Sequence, residues 1–391
     1  MTSRERLLAA IRHEEGDYVP VAPRMGDWLR GQKRGSWQDI LRFADEYDFD
    51  PMIVTSGGLA DYIWEGINTD QCAQLQDVKL EQTVREEGAL KIVKKRFQTP
   101  AGVLTEVKKV PPPGGVFGTA PNPETVEWLL KTPEDIVKIG FLLPDPARAG
   151  GRVFSEMTEG VGERGLVELR PTVGSDGLLL QAMGMENAMV NARCDAPFLA
   201  AAFDLFHRYN LRVAKHWLEA GARVIFDSGY NMSLSTGWSP RDWRELFYPK
   251  VKAICALTHA YGAYYHFYDD GKFAEILPDL AGIGVDIVST CTPPPIGDFD
   301  AARSKAAYGS VICFKGGIDV VDLMIRQTPD AVSQKVKELI GSMAKGGGFI
   351  LGSSDSIRAE TPLANFRAYF KAAREFGRYQ TPANNAGEPP P

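Results

Sequence analysis

The 391-residue sequence is short of the features that would assign it at once. It has five cysteines, Cys72, Cys194, Cys255, Cys291 and Cys313, and no two form a CxxC pair. An odd, scattered set argues against a disulfide scaffold and for a reducing compartment. No stretch approaches the roughly 20 apolar residues of a membrane span. The opening MTSRERLLAAIRHEE is charged and amphipathic, without the apolar core of a signal peptide. These absences predict a soluble, cytoplasmic protein. Net charge is −6, so no excess of basic residues calls for a nucleic-acid or anionic-membrane partner. The densest basic cluster, Lys91, Lys94, Lys95 and Arg96, reads as a solvated hairpin edge. No GxGxxG turn follows an early strand, which removes the main sign of a doubly wound dinucleotide fold.

What is present is a strand–helix rhythm. Short apolar runs fall at 19–22, 51–54, 166–170, 223–227, 263–267, 285–289, 311–314 and 348–351. Helical patterns lie among them. Residues 3–13 are amphipathic with Ser3 as a cap, and 37–47 is helical. Segments 124–130 and 133–141 read as short helices. A long helix over 198–220 keeps Leu199, Phe203, Phe206, Val213 and Trp217 at helical spacing. Ser239-Pro240 opens another, which Pro249 should kink. Two more run over 329–344 and 361–376. Eight strands, most followed by a helix, predict an α/β fold: a single (β/α)8 TIM barrel over residues 1–379. Residues 86–110 break the rhythm and read as a β-hairpin insertion turning at Thr99–Gly102. The Pro-, Asn- and Gly-rich tail 380–391 reads as disordered.

The stretch AYYHFYDDGK, residues 263–272, concentrates the chemistry. His266, Tyr268, Asp269 and Asp270 end a strand at Gly271, where a barrel places its reactive groups. His266 is the leading catalytic or metal-binding candidate, and either aspartate is a second ligand or a base. Asp227 ends the fourth strand and is expected to point into the barrel mouth, with Tyr230 and Asn231 following as substrate contacts. Lys315, with Gly316-Gly317, either holds an anion or makes a plain tight turn. Trp28, Trp64 and Trp238 either wall a site or simply pack. Cys291 and Cys313 lie near strand ends, where free core thiols are common.

The ordered set SRERLLAAIRHEEGDYVPV, DFDPMI, PPPIGD at 293–298, GGID at 316–319 and GGGFILG…TPLANFRAYFKAAREFGRY resembles the uroporphyrinogen decarboxylase superfamily. The resemblance runs to Tyr379. It implies a distorted (β/α)8 barrel with a deep cleft at its C-terminal mouth. Two activities come with it: cofactor-free decarboxylation of uroporphyrinogen, and zinc-assisted methyl transfer to or from a corrinoid protein. The true decarboxylases carry Arg-Gln-Ala-Gly-Arg after the first strand. Here residues 22–30 read APRMGDWLR, leaving Arg24 and Arg30 as anion partners. The coenzyme M enzymes carry His-x-Cys-Gly after the fifth strand and a cysteine after the eighth. This chain keeps His266 but has Asp355 in the latter place.

The resemblance therefore implies a nitrogen-and-oxygen zinc site of Glu245, His266 and Asp355, since zinc accepts such ligands. The catalytic set expected with it is Asp227, Tyr230, His266 and Asp270. Arg24, Trp28, Asn231, Tyr268 and Lys315 are the expected substrate contacts. The sequence has no Asp-x-His-x-x-Gly corrinoid motif, so the corrinoid would be carried by a separate protein. The first expectation is thus a corrinoid-dependent methyltransferase acting on a small methoxy or thiol compound. Its relatives are often homodimers. One alternative is a cofactor-free decarboxylase using Asp227 or Asp61, with Arg24 on a carboxylate. The other is a non-catalytic barrel that binds a tetrapyrrole or a partner protein.

Overall fold

The computed structural model of the chain describes residues 1–32, 34–56, 75, 77–112, 123–149, 151–229 and 231–379. The strands in order are β1 (Met52–Thr55), β2 (Lys79–Glu87), β3 (Leu90–Thr99), β4 (Gly102–Val110), β5 (Glu124–Glu127), β6 (Leu166–Leu169), β7 (Val224–Ser228), β8 (Tyr264–Tyr268), β9 (Ile287–Thr290), β10 (Cys313–Ile318) and β11 (Phe349–Ser353). Seven of them form a curled parallel sheet in the order β1-β6-β7-β8-β9-β10-β11, an α/β arrangement resembling a TIM barrel.

The expected first strand sits between the two edges of that sheet. Leu351 N–H donates to the Pro20 carbonyl at 2.9 Å, and Ala22 N–H donates to the Leu351 carbonyl at 2.8 Å. On the other side Asp50 N–H donates to the Val21 carbonyl at 2.7 Å. The segment is a single bridge, Val21 to Leu351, and not a full strand. The reason is local: Pro20 and Pro23 have no N–H to extend a ladder.

Alternation along the strands sorts side chains between barrel interior and helix layer. Leu166, Val224, Ile287, Cys313 and Ile350 form a lower layer that packs on Leu7, Ala10 and Ile11 of the helix Ser3–Ile11. That helix is capped by Thr2, one residue before the expected Ser3. Two residues further up, the same inner face carries Glu168, Phe226, His266, Ser289 and Lys315.

The insertion is larger than the expected hairpin. Strands β2-β3-β4-β5 form an antiparallel sheet, with the Thr99–Gly102 turn joining β3 and β4 as expected. β3 is an inner strand of this sheet, and Lys95 is buried, so the basic cluster is not an edge. Residues 124–127, expected to be helical, are strand β5 and pair with β4. The alternating ETVE suits an extended edge better than a helix. Phe97 and Leu104 tie the sheet into the main core.

The long helix Ala196–Glu219 buries the five residues its spacing singled out. Pro249 does not kink a continuous helix. One helix, Pro240–Leu246, ends at Phe247, and Pro249 lies in the first turn of the next, Tyr248–Ala260. Lys315-Gly316-Gly317 is not a turn but part of β10. Gly316 has φ +136°, and a Cβ there would lie 1.8 Å from the Thr290 carbonyl, so only glycine fits against β9. Among the described residues no helix is long and apolar enough to cross a membrane.

Candidate active site

The C-terminal ends of the parallel strands gather two polar groups, divided by strand parity. The inner group begins at His266, in the middle of β8. Its ring is fully buried, lies edge-on to Phe226, and uses both nitrogens. Nδ1 is 2.5 Å from Glu168 Oε1, and Nε2 is 2.7 Å from Ser289 Oγ. Burial would raise the Glu168 carboxyl, but His266, Lys315 and Arg24 hold it below its usual range. Burial lowers the His266 pKa against the pull of Glu168. The arrangement that satisfies both is an ionised Glu168 accepting Nδ1–H, with Ser289 donating to Nε2 of a neutral ring.

Above this pair lies the mouth. The Arg24 guanidinium stands over the Tyr268 ring at 4.4 Å and lies 3.9 Å from Asp355. Tyr268 OH donates to Asp355 at 3.3 Å. Arg358 donates to Asp355 at 2.7 Å and to Asp27 at 2.9 Å. Arg30 completes the cluster on Asp27. Asp270 belongs here. Burial first, then Asp355, pushes its carboxyl up to about 6, against the Tyr268 hydroxyl and the two guanidinium groups. A carboxyl that titrates near neutrality at a barrel mouth can exchange a proton with a substrate.

The outer group faces the helices. Asp227 alternates away from His266 and accepts from Tyr265 OH at 2.7 Å. It therefore does not point into the mouth, as expected from sequence, but toward Asn210 of the long helix. Burial raises its pKa. Asp176 is buried at the start of the helix Gly174–Met183 and accepts Asn231 N–H at 3.1 Å. Burial and Asp227 push it to about 7. Asp269 is fully buried, and burial, Asp176 and Asp270 hold it well above the usual carboxylate range.

Several expectations from sequence are corrected by this geometry. Glu245 lies exposed on the helix Pro240–Leu246 and pairs with Arg241 at 2.8 Å. His266 has no nitrogen to offer a metal, and Asp355 is committed to Arg358 and Tyr268. The three expected zinc ligands do not fit one ion, and among the described residues no three His, Cys, Asp or Glu side chains gather as a metal site. Trp28 is a core residue, stacked on Phe366 at 4.0 Å between centroids, not a wall of the site. Trp238 is buried and donates to the Asn231 carbonyl. Asn231 engages through its backbone. Burial pushes the Cys313 thiol up to about 12 and holds Cys291 well above the usual thiol range, so both are inert core thiols. Tyr230, Asp61, Trp64 and Cys72 lie outside the described residues, as does the tail 380–391.

Arg24, Tyr268, Asp270 and Asp355 do come together, with Lys315 on the inner face below. Sequence reasoning missed Glu168, Ser289, Arg358 and Asp27. Glu168 had a readable signal, an acid at an inward position of an apolar strand.

The strand order and the position of these groups define the class: a TIM-barrel-like α/β protein with its polar chemistry at the C-terminal mouth. The profile of the uroporphyrinogen decarboxylase family matches residues 177–376, just over half of the chain, and the chain belongs to that family of enzymes. It is 26% identical over 189 residues to a methylated-thiol–coenzyme M methyltransferase of Methanosarcina mazei, covering 46% of this chain and 44% of that protein. It is 29% identical over 167 residues to a uroporphyrinogen decarboxylase of Trichodesmium erythraeum, covering 41% and 43%. The chain thus spans less than half the length of either curated relative. A solved methyltransferase from Methanosarcina mazei shares the fold at TM-score 0.65 and 17% identity, over 96% of this chain and 99% of that one.

Proposed function

We propose that the protein moves a methyl group between a small methylated compound, methoxy or thiol, and a separate corrinoid protein. The observation that carries this reading is the charge balance of the mouth. Arg24 lies against Asp355, and Arg358 is shared between Asp355 and Asp27. A uroporphyrinogen carries eight carboxylates and needs several cations with charge to spare. This mouth has its guanidinium groups already matched, which suits a small substrate. The likeness to the methylated-thiol–coenzyme M methyltransferase supports the same chemistry.

When bound, the corrinoid supplies the cobalt centre that takes or gives the methyl group. The residues of this chain handle the proton. As the methyl–heteroatom bond breaks, its electron pair stays on the oxygen or sulfur, and Asp270 neutralises that atom by giving up its proton. In the reverse direction Asp270 accepts the proton of a thiol. Tyr268 and the guanidinium groups orient the Asp270 carboxyl. No step runs through a zinc ion on Glu245, His266 and Asp355, because those side chains do not meet.

The test is methyl transfer from isotopically labelled methoxy compounds and methylated thiols to free cob(I)alamin, run beside a uroporphyrinogen decarboxylation assay. Label transfer that falls in Asp270→Asn supports the reading. Carbon dioxide release from uroporphyrinogen without label transfer overturns it.

A further inference from the structure

Lys315 lies on the inner face of β10, in register with Ser289 of β9, which is itself in register with Tyr268 of β8. It is only 5% exposed. Among the described residues its ammonium makes no hydrogen bond, and no carboxylate lies within 4 Å. The carboxylate that acts on it, Glu168, also accepts a hydrogen bond from His266. Elsewhere the fold treats a buried cation differently: Arg6, 8% exposed, is held by both Asp17 and Asp50. Burying an ammonium without a hydrogen bond or a contact ion pair costs several kcal/mol, which the more distant Glu168 charge offsets only in part. The place where the fold carries that cost is the inner face of the candidate site, beside the strand that carries Tyr268 to the mouth. Burial lowers the Lys315 pKa, Glu168 opposes this, and Arg24 adds to it. A bound anion would relieve both effects.

We infer that Lys315 takes the single carboxylate of an anionic substrate, so that the compounds turned over are methylated carboxylic acids. The inference rests on the methyl-transfer reading for its reaction, but not for its binding. Asp270 lies just past the end of β8, two residues beyond Tyr268, so the carboxylate and the methyl-bearing atom sit at different depths, a separation that a benzene ring or a four-carbon chain can provide. One cation without a contact partner also explains how the mouth accepts one carboxylate while remaining unsuited to eight.

The experiment is calorimetric binding to the full chain, without turnover, of 4-methoxybenzoate against 4-methoxybenzamide and of 4-(methylthio)butanoate against its amide. A charged hydrogen bond at a buried site predicts that each acid binds roughly 10- to 100-fold more tightly than its amide. Lys315→Met should erase the preference, and Lys315→Arg should keep part of it. Equal binding of acid and amide by the unmodified protein overturns the inference, and this comparison needs no variant to fold. So does a preference that survives Lys315→Met. Acid-selective binding without methyl transfer to cob(I)alamin supports the subsite and counts against the methyltransferase. Methyl transfer from neutral compounds with no preference for the acids does the reverse.

Discussion

The inner and outer sides of the parallel sheet treat acidic groups in opposite ways. On the inner face Glu168 is kept ionised by His266 and by the nearby cations Lys315 and Arg24. On the outer side Asp176, Asp227 and Asp269 are equally buried, no cation of the described residues is among the main groups acting on them, and all three are pushed toward the neutral acid. The side of the sheet that a group faces therefore separates an acid held ionised from acids pushed toward the neutral form. The difference lies in the neighbours each face presents, since burial is the same on both.

The sharpest way to break the comparison is His266→Ala. It strands the Glu168 carboxylate in the barrel, and destabilisation of about 3–5 kcal/mol is expected by chemical denaturation. Replacing both partners, as Glu168→Leu with His266→Leu, should cost less than the sum of the two single changes, because the hydrogen-bonded pair is removed as a unit. If the two costs simply add, the inner pair is not a coupled unit.

Next in size is Asp270→Asn, for which a fall of about 100-fold or more in methyl removal from substrate is expected. The sign of the pH dependence follows from its raised pKa. The acid is protonated below about 6, so the rate should decline as pH rises through that value. In Asp270→Asn that decline should vanish, and a decline that persists would assign the proton to another group.

The outer face gives a stability test of the opposite kind. A carboxyl whose folded pKa is raised to about 7 contributes stability below its unfolded pKa and loses it as pH climbs to 7. Asp176→Asn should therefore stabilise the protein by roughly 2 kcal/mol at pH 8 and have little effect at pH 4. Melting temperatures at the two pH values check it. The smallest effect belongs to Glu245→Ala, within about 0.5 kcal/mol in stability and without change in activity, as for an exposed helix pair.

The barrel was legible because each parallel strand is a short apolar run between turn residues. All eight predicted runs take strand positions, the first reduced to a bridge by its flanking prolines. The β2 strand was not legible. KLEQTVREE is polar on both faces and almost wholly exposed, so it shows no period until β3 is beside it. At the site, the run from His266 to Asp270 correctly marked the place but reads in one dimension as a single cluster. Alternation sends His266 and Tyr268 inward and Asp269 toward the helices. The partner of His266 comes from 98 residues earlier, a distance that spacing rules do not cover. Glu245 entered only by resemblance, and its helix places it in solvent.

The segment at 17–24 has a consequence for synthesis. Its neighbours are Leu351, Ser353 and residues 377–379: Val19 N–H donates to the Gly377 carbonyl at 2.7 Å, and Tyr379 N–H donates to the Asp17 carbonyl at 3.2 Å. During translation these residues leave the ribosome more than 300 positions ahead of the groups they bind. The seam that includes the Arg24 backbone therefore closes last, and a nascent chain must hold the 17–24 segment without its β11 neighbour until residues 349–379 are free.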